Sequence, residues 1–408
     1  MKANWAGNVT FAAARVHHPG TEDELAAIVA SARRVRALGT GHSFSRVADT
    51  TGDLVALDRL PPAVEIDPAA HSVTVAAGVT YAGLARHLHQ NRLALASLAS
   101  LPHISVAGSV ATGTHGSGDR LPGLAAAVRG LSLMGPDGAQ LELRRGDQGF
   151  DGAVVALGAL GVVTRLTLDV EPAFQVSQRV YERVPLDTLS SKLDDVFGAG
   201  YSVSAFTGWR DGQASVWVKQ RPGYPGTGWR GQHPAGQNVH PVPGRPPVDC
   251  TEQLGVPGPW HQRLPHFRPE RPPGGGQELQ SELYLPRHQA TDAIAALRDL
   301  GEKIAPVLHI GEVRTVRADD LWLSPAYHRD SVTFHFTWIR DTAAVRPVLA
   351  AVEERLLPLG ARPHWAKLTT ASPRQVLAGY EQAGAFRRLM RRLDPGGKFR
   401  SELADPRD

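Results

Sequence analysis

The sequence predicts an α+β protein of two domains, and three observations carry that reading. Helix and strand patterns alternate at short intervals as far as Val170. After Glu171-Pro172 the character changes, and residues 221–276 form a tract rich in Pro and Gly. At 408 residues the chain is long enough to bury two cores. The boundaries are placed at residues 1–172 and 173–375, with a C-terminal segment, 376–408, that returns to the first domain.

Pro19-Gly20 closes a loop, and Thr21 with Glu24 is a capping-box pattern ahead of a helix with Leu25, Ile28, Val29 and Ala32 on one face. Arg34–Leu38 reads as a strand that delivers the chain into Gly39-Thr40-Gly41-His42-Ser43-Phe44. Ser72–Ala76 follows as a strand and Tyr81–Gln90 as a helix. Leu131–Met134 and Leu141–Arg144 flank Gly135-Pro136-Asp137-Gly138, a hairpin signal. Within 160–170, alternate residues Val162, Thr164, Leu166, Leu168 and Val170 share a face. The Pro- and Gly-rich tract, with Pro246-Pro247 and Pro272-Pro273-Gly274-Gly275-Gly276, has the composition of a linker. It also holds Trp229, Cys250, Trp260 and Phe267, which disordered segments seldom carry, so an ordered excursion packed on a domain is expected. Beyond it, Gln289–Leu300 reads as a helix, Val332–Trp338 as a strand with alternating faces, and Leu349–Leu357 and Gly379–Leu393 as helices.

Composition narrows the function classes. An apolar fraction of 42% with 21% charged residues is that of a folded globular protein. No apolar run approaches the ~20 residues that span a bilayer, and Met1-Lys2-Ala3-Asn4-Trp5 lacks a signal-peptide core. The single cysteine, Cys250, excludes an intrachain disulfide and fits a reducing compartment, so a cytoplasmic location is expected; separately, the chain is expected to be a monomer. A net charge of +4 is small, and Arg387-Arg388 with Arg391-Arg392 read as one solvated helix face. No nucleic-acid motif accompanies them, and neither nucleic acid nor membrane is expected as a partner. His87, His89 and His103 show no metal spacing, so no metal is expected.

Two small-residue runs carry the chemistry. Gly39 and Gly41 flank Thr40, which lets the backbone turn tightly and aim successive N–H groups at an anion such as a pyrophosphate. His42 then stands beside whatever the turn holds. A second run, Gly108-Ser109-Val110-Ala111-Thr112-Gly113-Thr114-His115-Gly116-Ser117-Gly118, repeats that chemistry, with Ser109, Thr112 and Thr114 as donors and Ile104, Val106 and Val110 as apolar anchors. Neither run is a Gly-x-Gly-x-x-Gly dinucleotide fingerprint, because Phe44 occupies the last position of the first. Together they point to a large phosphate-bearing cofactor with a histidine near its reactive end. Gly158-Ala159-Leu160-Gly161-Val162-Val163 is a third close-approach segment, which two packing glycines at the start of a strand explain nearly as well.

These runs, with His364-Trp365-Ala366-Lys367 behind them, occur in the order seen in flavoproteins of the vanillyl-alcohol oxidase superfamily. Within it the chain resembles the alditol oxidases nearly end to end, from Asn4-Trp5-Ala6-Gly7-Asn8 through Ser100-Leu101-Pro102-His103 and Cys250-Thr251-Glu252-Gln253 to Asp394-Pro395-Gly396-Gly397-Lys398-Phe399. The resemblance implies an FAD-binding domain and an α+β substrate domain. It implies FAD bound covalently through His42, with Gly39, Thr40, Gly41, Ser43, Gly108, Ser109, Thr112, Gly113, His115, Gly116, Gly161 and Val163 around it. Two departures stand out: Ala366 replaces the family's usual glycine, and Ser401 replaces an asparagine.

Glu312-Val313-Arg314 lies in a strand pattern, so both polar side chains emerge on one face. An exposed ion pair is the ordinary explanation, yet the apolar surroundings suggest burial, where a carboxylate acceptor beside a guanidinium suits vicinal hydroxyls. His335 and Thr337 share a face opposite Phe336, and Lys367 can neutralise a developing alkoxide. In the order the family has them, these residues favour a polyol pocket: His335 and Lys367 act on the reacting hydroxyl, while Ser100, Glu312, Arg314 and Thr337 hold the others. The expected reaction is oxidation of a terminal alcohol of xylitol or sorbitol, with O2 reduced to H2O2. The alternatives are an aldonolactone oxidase or dehydrogenase, and a non-catalytic sugar-binding protein on a flavin fold.

Overall fold

The computed structural model describes residues 3–270 and 276–406. The first two residues and the Pro272–Gly275 part of the turn run lie outside the described residues. Helix Glu22–Ser31 begins where Thr21 Oγ1 accepts the Glu24 N–H at 3.1 Å. The Glu24 carboxylate takes the N–H of Gly20, at 2.7 Å, in place of the reciprocal capping-box bond. Leu25 and Val29 face a parallel sheet of Arg15–His17, Asp53–Ala56 and Val35–Leu38, in that spatial order. An antiparallel sheet follows, ordered Val64–Asp67, Ser72–Ala76, Val162–Asp169, Val128–Met134 and Gln140–Arg144. Its alternating residues from Val162 to Val170 are all buried. Asp53–Ala56, buried throughout, and the edge strand Val64–Asp67 have four residues each, too short to show a period of their own.

The run from Val106 to Ala111 is a short helix, and its apolar side chains anchor it in the core. Helix Thr342–Leu356 starts seven residues before the predicted Leu349, because Asp341 caps it by accepting the Ala343 and Ala344 N–H groups. The helix predicted over 379–393 forms as Ala383–Leu393, and a separate, unpredicted helix, Pro373–Ala378, precedes it. A full capping box at Ser372 and Gln375 opens the earlier helix and Gly379 ends it, so the chain turns before restarting.

The larger antiparallel sheet positions the site. Its central strands run Ser202–Thr207, Leu308–Val316, Ser331–Ile339 and Glu278–Pro286. One face carries Leu279, Leu283, Val313, Phe334, Phe336 and Trp338 into a core shared with helices Ala290–Asp299 and Thr342–Leu356. The opposite face is polar and in register. Glu282, His335 and Glu312 stand side by side across three strands, and Gln280 pairs with Thr337 one row away.

The buried apolar residues fall into two large clusters. The first gathers the two N-terminal sheets with Val376, Leu377, Phe386, Leu389 and Phe399 from the C-terminal segment. It also takes in Trp260 and Leu264 from the Pro- and Gly-rich tract, which is therefore ordered over its described residues. Val35 N–H donates to Lys398 O at 3.0 Å, and the Lys398 ammonium caps the first helix by donating to Val29 O at 2.6 Å. Arg36 locks this junction. Its buried guanidinium donates to the carbonyls of Gly158 (3.0 Å), Phe399 (2.8 Å), Leu157 (2.5 Å) and Val47. No carboxylate among the described residues pairs with it, and burial lowers its pKa to about 10. No described helix is long and apolar enough to cross a membrane.

Replacing Arg36 with Met orphans these carbonyls, each costing ~1–3 kcal/mol, partly offset by removal of a buried charge. Guanidinium unfolding of Arg36→Met should show a loss of about 3 kcal/mol. A change below about 0.5 kcal/mol would show that the junction holds without the guanidinium.

Candidate active site

A cavity of about 270 Å³ opens between the small-residue runs and the polar face of the larger sheet. Gly39, Thr40, Gly41, His42 and Ser43 line one wall. Among the described residues, the main-chain N–H groups of Thr40, Gly41, His42 and Ser43 have no protein acceptor. Successive unpaired N–H groups around Gly41, whose φ is +71°, form a concavity suited to an anion. His42 stacks on Trp5 with ring centres 5.2 Å apart, and its buried Nδ1 has no hydrogen-bond partner. Burial, then the positive charges of Lys367 and His103, push its pKa down to about 4. The ring is neutral at physiological pH and offers an unused lone pair.

The second run contributes unevenly. Gly108, Ser109, Thr112 and His115 line the cavity, as do Gly161 and Val163. Two of the three expected phosphate donors are already committed, however: Ser109 Oγ donates to Val106 O and Thr112 Oγ1 to Gly108 O, each at 3.0 Å within the helical turn, while Thr114 lines the cavity. Gly113 and Gly116 do not line this cavity. A Cβ at Gly113 would meet Pro325 Cδ at 2.9 Å, and one at Gly116 would meet Leu98 O at 2.7 Å, so these glycines serve packing. His115 reaches towards the sheet, its Nε2 2.9 Å from Glu282 Oε1.

Ser100, Glu312, Arg314, His335, Thr337 and Lys367 all line the cavity. Arg314 NH2 donates to Glu282 Oε1 at 2.7 Å, while its Nε lies 3.6 Å from Glu312 Oε1 and makes no hydrogen bond. One guanidinium thus serves two buried carboxylates. Burial opposes ionisation of Glu282, yet Arg314 and then His115 outweigh it and hold that carboxyl well below its ordinary range. Glu312 is held low in the same way, against burial, by Arg314 and His266. His335 stands with Nε2 3.3 Å from Thr337 Oγ1 and Nδ1 3.4 Å from Glu282 Oε2, the latter long and off-axis. Lys367 Nζ donates to Gln280 Oε1 and lies 5.2 Å from the centre of the Phe44 ring. Burial lowers the Lys367 pKa to about 8, with Glu282 acting in the opposite sense.

The turn carrying Lys367 is stitched to the His42 turn: Phe44 N–H donates to Ala366 O at 2.7 Å and Ser45 Oγ to Trp365 O at 2.6 Å. His364 Nδ1 accepts the Ala366 N–H at 3.0 Å and shapes the same turn. Ala366 avoids the left-handed region, so its methyl group leaves the backbone unstrained. Ser401 lies off the cavity and its Oγ accepts the Leu403 N–H.

Glu282 and His266 are the residues that sequence reading missed. Glu282 alternates with Glu278, Gln280 and Tyr284, opposite a face that carries Leu279, Leu283 and Leu285, a signal that was available. His266 sits in the irregular tract, where no periodicity marks it.

The cavity suits FAD: the anion concavity and the unused histidine nitrogen lie on one wall, and a polar, charged pocket faces them. Residues 13–144 match the FAD binding domain family, and residues 277–406 match the D-arabinono-1,4-lactone oxidase family. The chain is 51% identical to an alditol oxidase from a Streptomyces species, covering 97% of this chain and 96% of that one. It is 28% identical to an L-gulono-1,4-lactone dehydrogenase of Mycobacterium tuberculosis, covering 97% and 96%. The fold matches the crystal structure of cholesterol oxidase from B. sterolicum, with a TM-score of 0.76, 13% identity, and coverage of 99% and 95%. The chain therefore belongs to the alditol oxidase family, FAD-dependent oxidoreductases of the vanillyl-alcohol oxidase flavoprotein superfamily.

Proposed function

We propose that the protein oxidises the terminal alcohol of acyclic polyols such as xylitol and sorbitol to the aldose, with FAD attached to His42. The observation that carries this reading is the row Glu282–His335–Glu312, with Arg314, facing the His42 turn across one cavity. When bound, FAD supplies hydride acceptance at N5 and electron delivery to O2, giving H2O2. Residues 1–172 with 376–408 form the cofactor unit and 173–375 the substrate unit, which keeps the reacting alcohol on the seam. The single buried cysteine fits a cytoplasmic setting.

The residues divide the work. Glu312 keeps one carboxylate oxygen free to accept from a hydroxyl, and the unpaired Arg314 Nε–H can donate to one. Ser100 and Thr337 add neutral partners. His335 takes the hydroxyl proton at Nε2, next to Thr337, and the Lys367 ammonium stabilises the alkoxide as it develops. That ammonium is lost as pH rises through about 8.

Attachment through His42 predicts that acid-precipitated, washed protein stays yellow and fluoresces on a denaturing gel, whereas His42→Ala releases the colour. A white wild-type pellet would refute the covalent bond while leaving FAD binding intact.

Lys367→Ala should lower kcat and kcat/KM together by at least ~10²-fold, as expected for a group acting in the transition state. The wild-type rate should fall on the alkaline side of about pH 8, where the ammonium is lost. A variant with normal kcat and a raised KM would make Lys367 a binding residue.

A pocket that reads several hydroxyls penalises substrates lacking them, at ~1–3 kcal/mol for each group left unpaired. Stopped-flow flavin reduction should therefore favour xylitol and sorbitol over 1,2-propanediol by several orders of magnitude, with glycerol between. Fastest reduction by gulono-1,4-lactone would replace the polyol reading with that of an aldonolactone oxidase, the activity named by the family matched over residues 277–406.

A further inference from the structure

Beside Glu312, a buried polar chain that the reaction above does not use starts at the cavity wall and runs inward from it. Its members are His266, from the Pro- and Gly-rich tract, and Lys219, from the strand Gln213–Gln220. His266 Nε2 stands 3.0 Å from Glu312 Oε1 and 3.2 Å from Ser204 Oγ. His266 Nδ1 stands 3.2 Å from Lys219 Nζ, which also donates to the carbonyls of Leu264 and Pro265. Lys219 and His266 are both almost fully buried, at 1% and 4% exposure.

The donor count decides where the histidine proton sits. An ammonium has three N–H donors and no lone pair, and here two carbonyls and one ring nitrogen surround it. Lys219 therefore donates to His266 Nδ1, which must be unprotonated, and the ring proton resides on Nε2. That N–H points at Glu312 Oε1, with Ser204 Oγ taking the weaker branch. The opposite tautomer would set a nitrogen lone pair against a buried carboxylate, with no other N–H donor bonded to that carboxylate in its place: Arg314 Nε, at 3.6 Å, makes no hydrogen bond. Burial pushes Lys219 down to about 7, with the Glu312 charge opposing it, so the ammonium persists in mildly acid buffer.

We propose that His266, fixed as its Nε2–H tautomer by Lys219, positions Glu312 so that the second carboxylate oxygen meets a substrate hydroxyl. The inference rests on the polyol reading above. His266 is a positioning residue: it touches Glu312 and acts on substrate through it. Removing it loosens binding of the held hydroxyls more than it slows the reacting one, which His335 and Lys367 attend.

The test compares His266→Leu, which loses both ring functions, with His266→Gln, whose amide can donate to Glu312 and accept from Lys219. For the FAD-loaded enzyme at about pH 6, where Lys219 stays charged, His266→Leu should raise KM for xylitol roughly tenfold or more. Its kcat should stay within about threefold of wild type, and His266→Gln should stay within about threefold in both constants. In a Glu312→Gln background, His266→Leu should add less than about twofold. Long-range ¹⁵N spectra of histidine-labelled protein, with the His266 signal identified by its loss in His266→Gln, should show the Nε2–H tautomer without any substrate. An Nδ1–H signal, equal damage from Gln and Leu, or a full effect of His266→Leu in the Glu312→Gln background would each overturn the proposal. If His266→Leu fails to fold, the tautomer and the Gln variant decide alone. A wild-type protein that ignores xylitol overturns the polyol reading and the substrate half of this proposal, while the tautomer still decides the half concerning Lys219.

Discussion

The structure depends on a carboxylate removed from water at the seam between the two cores. Glu282 is buried to 2% exposure, where an unpaired charge would cost several kcal/mol. It survives because His335 stands beside it on the adjacent strand, Arg314 reaches it from the strand beyond that one, and His115 reaches it from the second small-residue run. Each of those partners is needed at a definite place, so the requirement propagates outward. It sets the register of three strands, since a slip by one residue would send Glu282, His335 and Glu312 into the apolar core. It also explains why His115 Nε2 is aimed at the sheet.

Once that carboxylate is in place, the seam is specified at several further points. Tyr284 Oη donates to Gly113 O at 3.1 Å, and Tyr201 Oη to Ala96 O at 2.6 Å. The turn after His364 is bonded to the chain just beyond His42. These bonds bring a neutral histidine and a lysine of lowered pKa to one cavity from positions more than 300 residues apart. Opposite tendencies are thereby maintained side by side: a nitrogen kept free of protons, and an ammonium kept within reach of losing one.

The Pro- and Gly-rich tract supplies part of the wall. It contributes Trp260 to the first core, and His240, Val242, His266 and Phe267 to the cavity lining. Its irregular backbone is pinned by specific bonds, such as Thr251 Oγ1 to Pro265 O at 2.9 Å and Arg268 Nε to Cys250 O at 2.7 Å. Low complexity here reflects a chain that must wrap an edge of the sheet, with order imposed by its few large side chains.

Local chemistry alone determined much of this protein. Helix Tyr81–Gln90 and strand Ser72–Ala76 form where the pattern places them, because each carries a complete period bounded by a polar cap or turn. The His42 turn, the Glu312–Arg314 pair and the His335–Thr337 pair were legible because spacing within one element dictates a shared face. Tertiary structure decided what crosses elements. No spacing could bring His115 to Glu282, commit the hydroxyls of Ser109 and Thr112 to their own helix, or exclude Gly113 and Gly116 from the cavity. Nor could it find His266, whose partners lie 46 and 47 residues away across a tract without period. A sequence states which way a side chain leaves its own backbone; which partner meets it there is settled only when the buried charges of distant strands must neutralise one another.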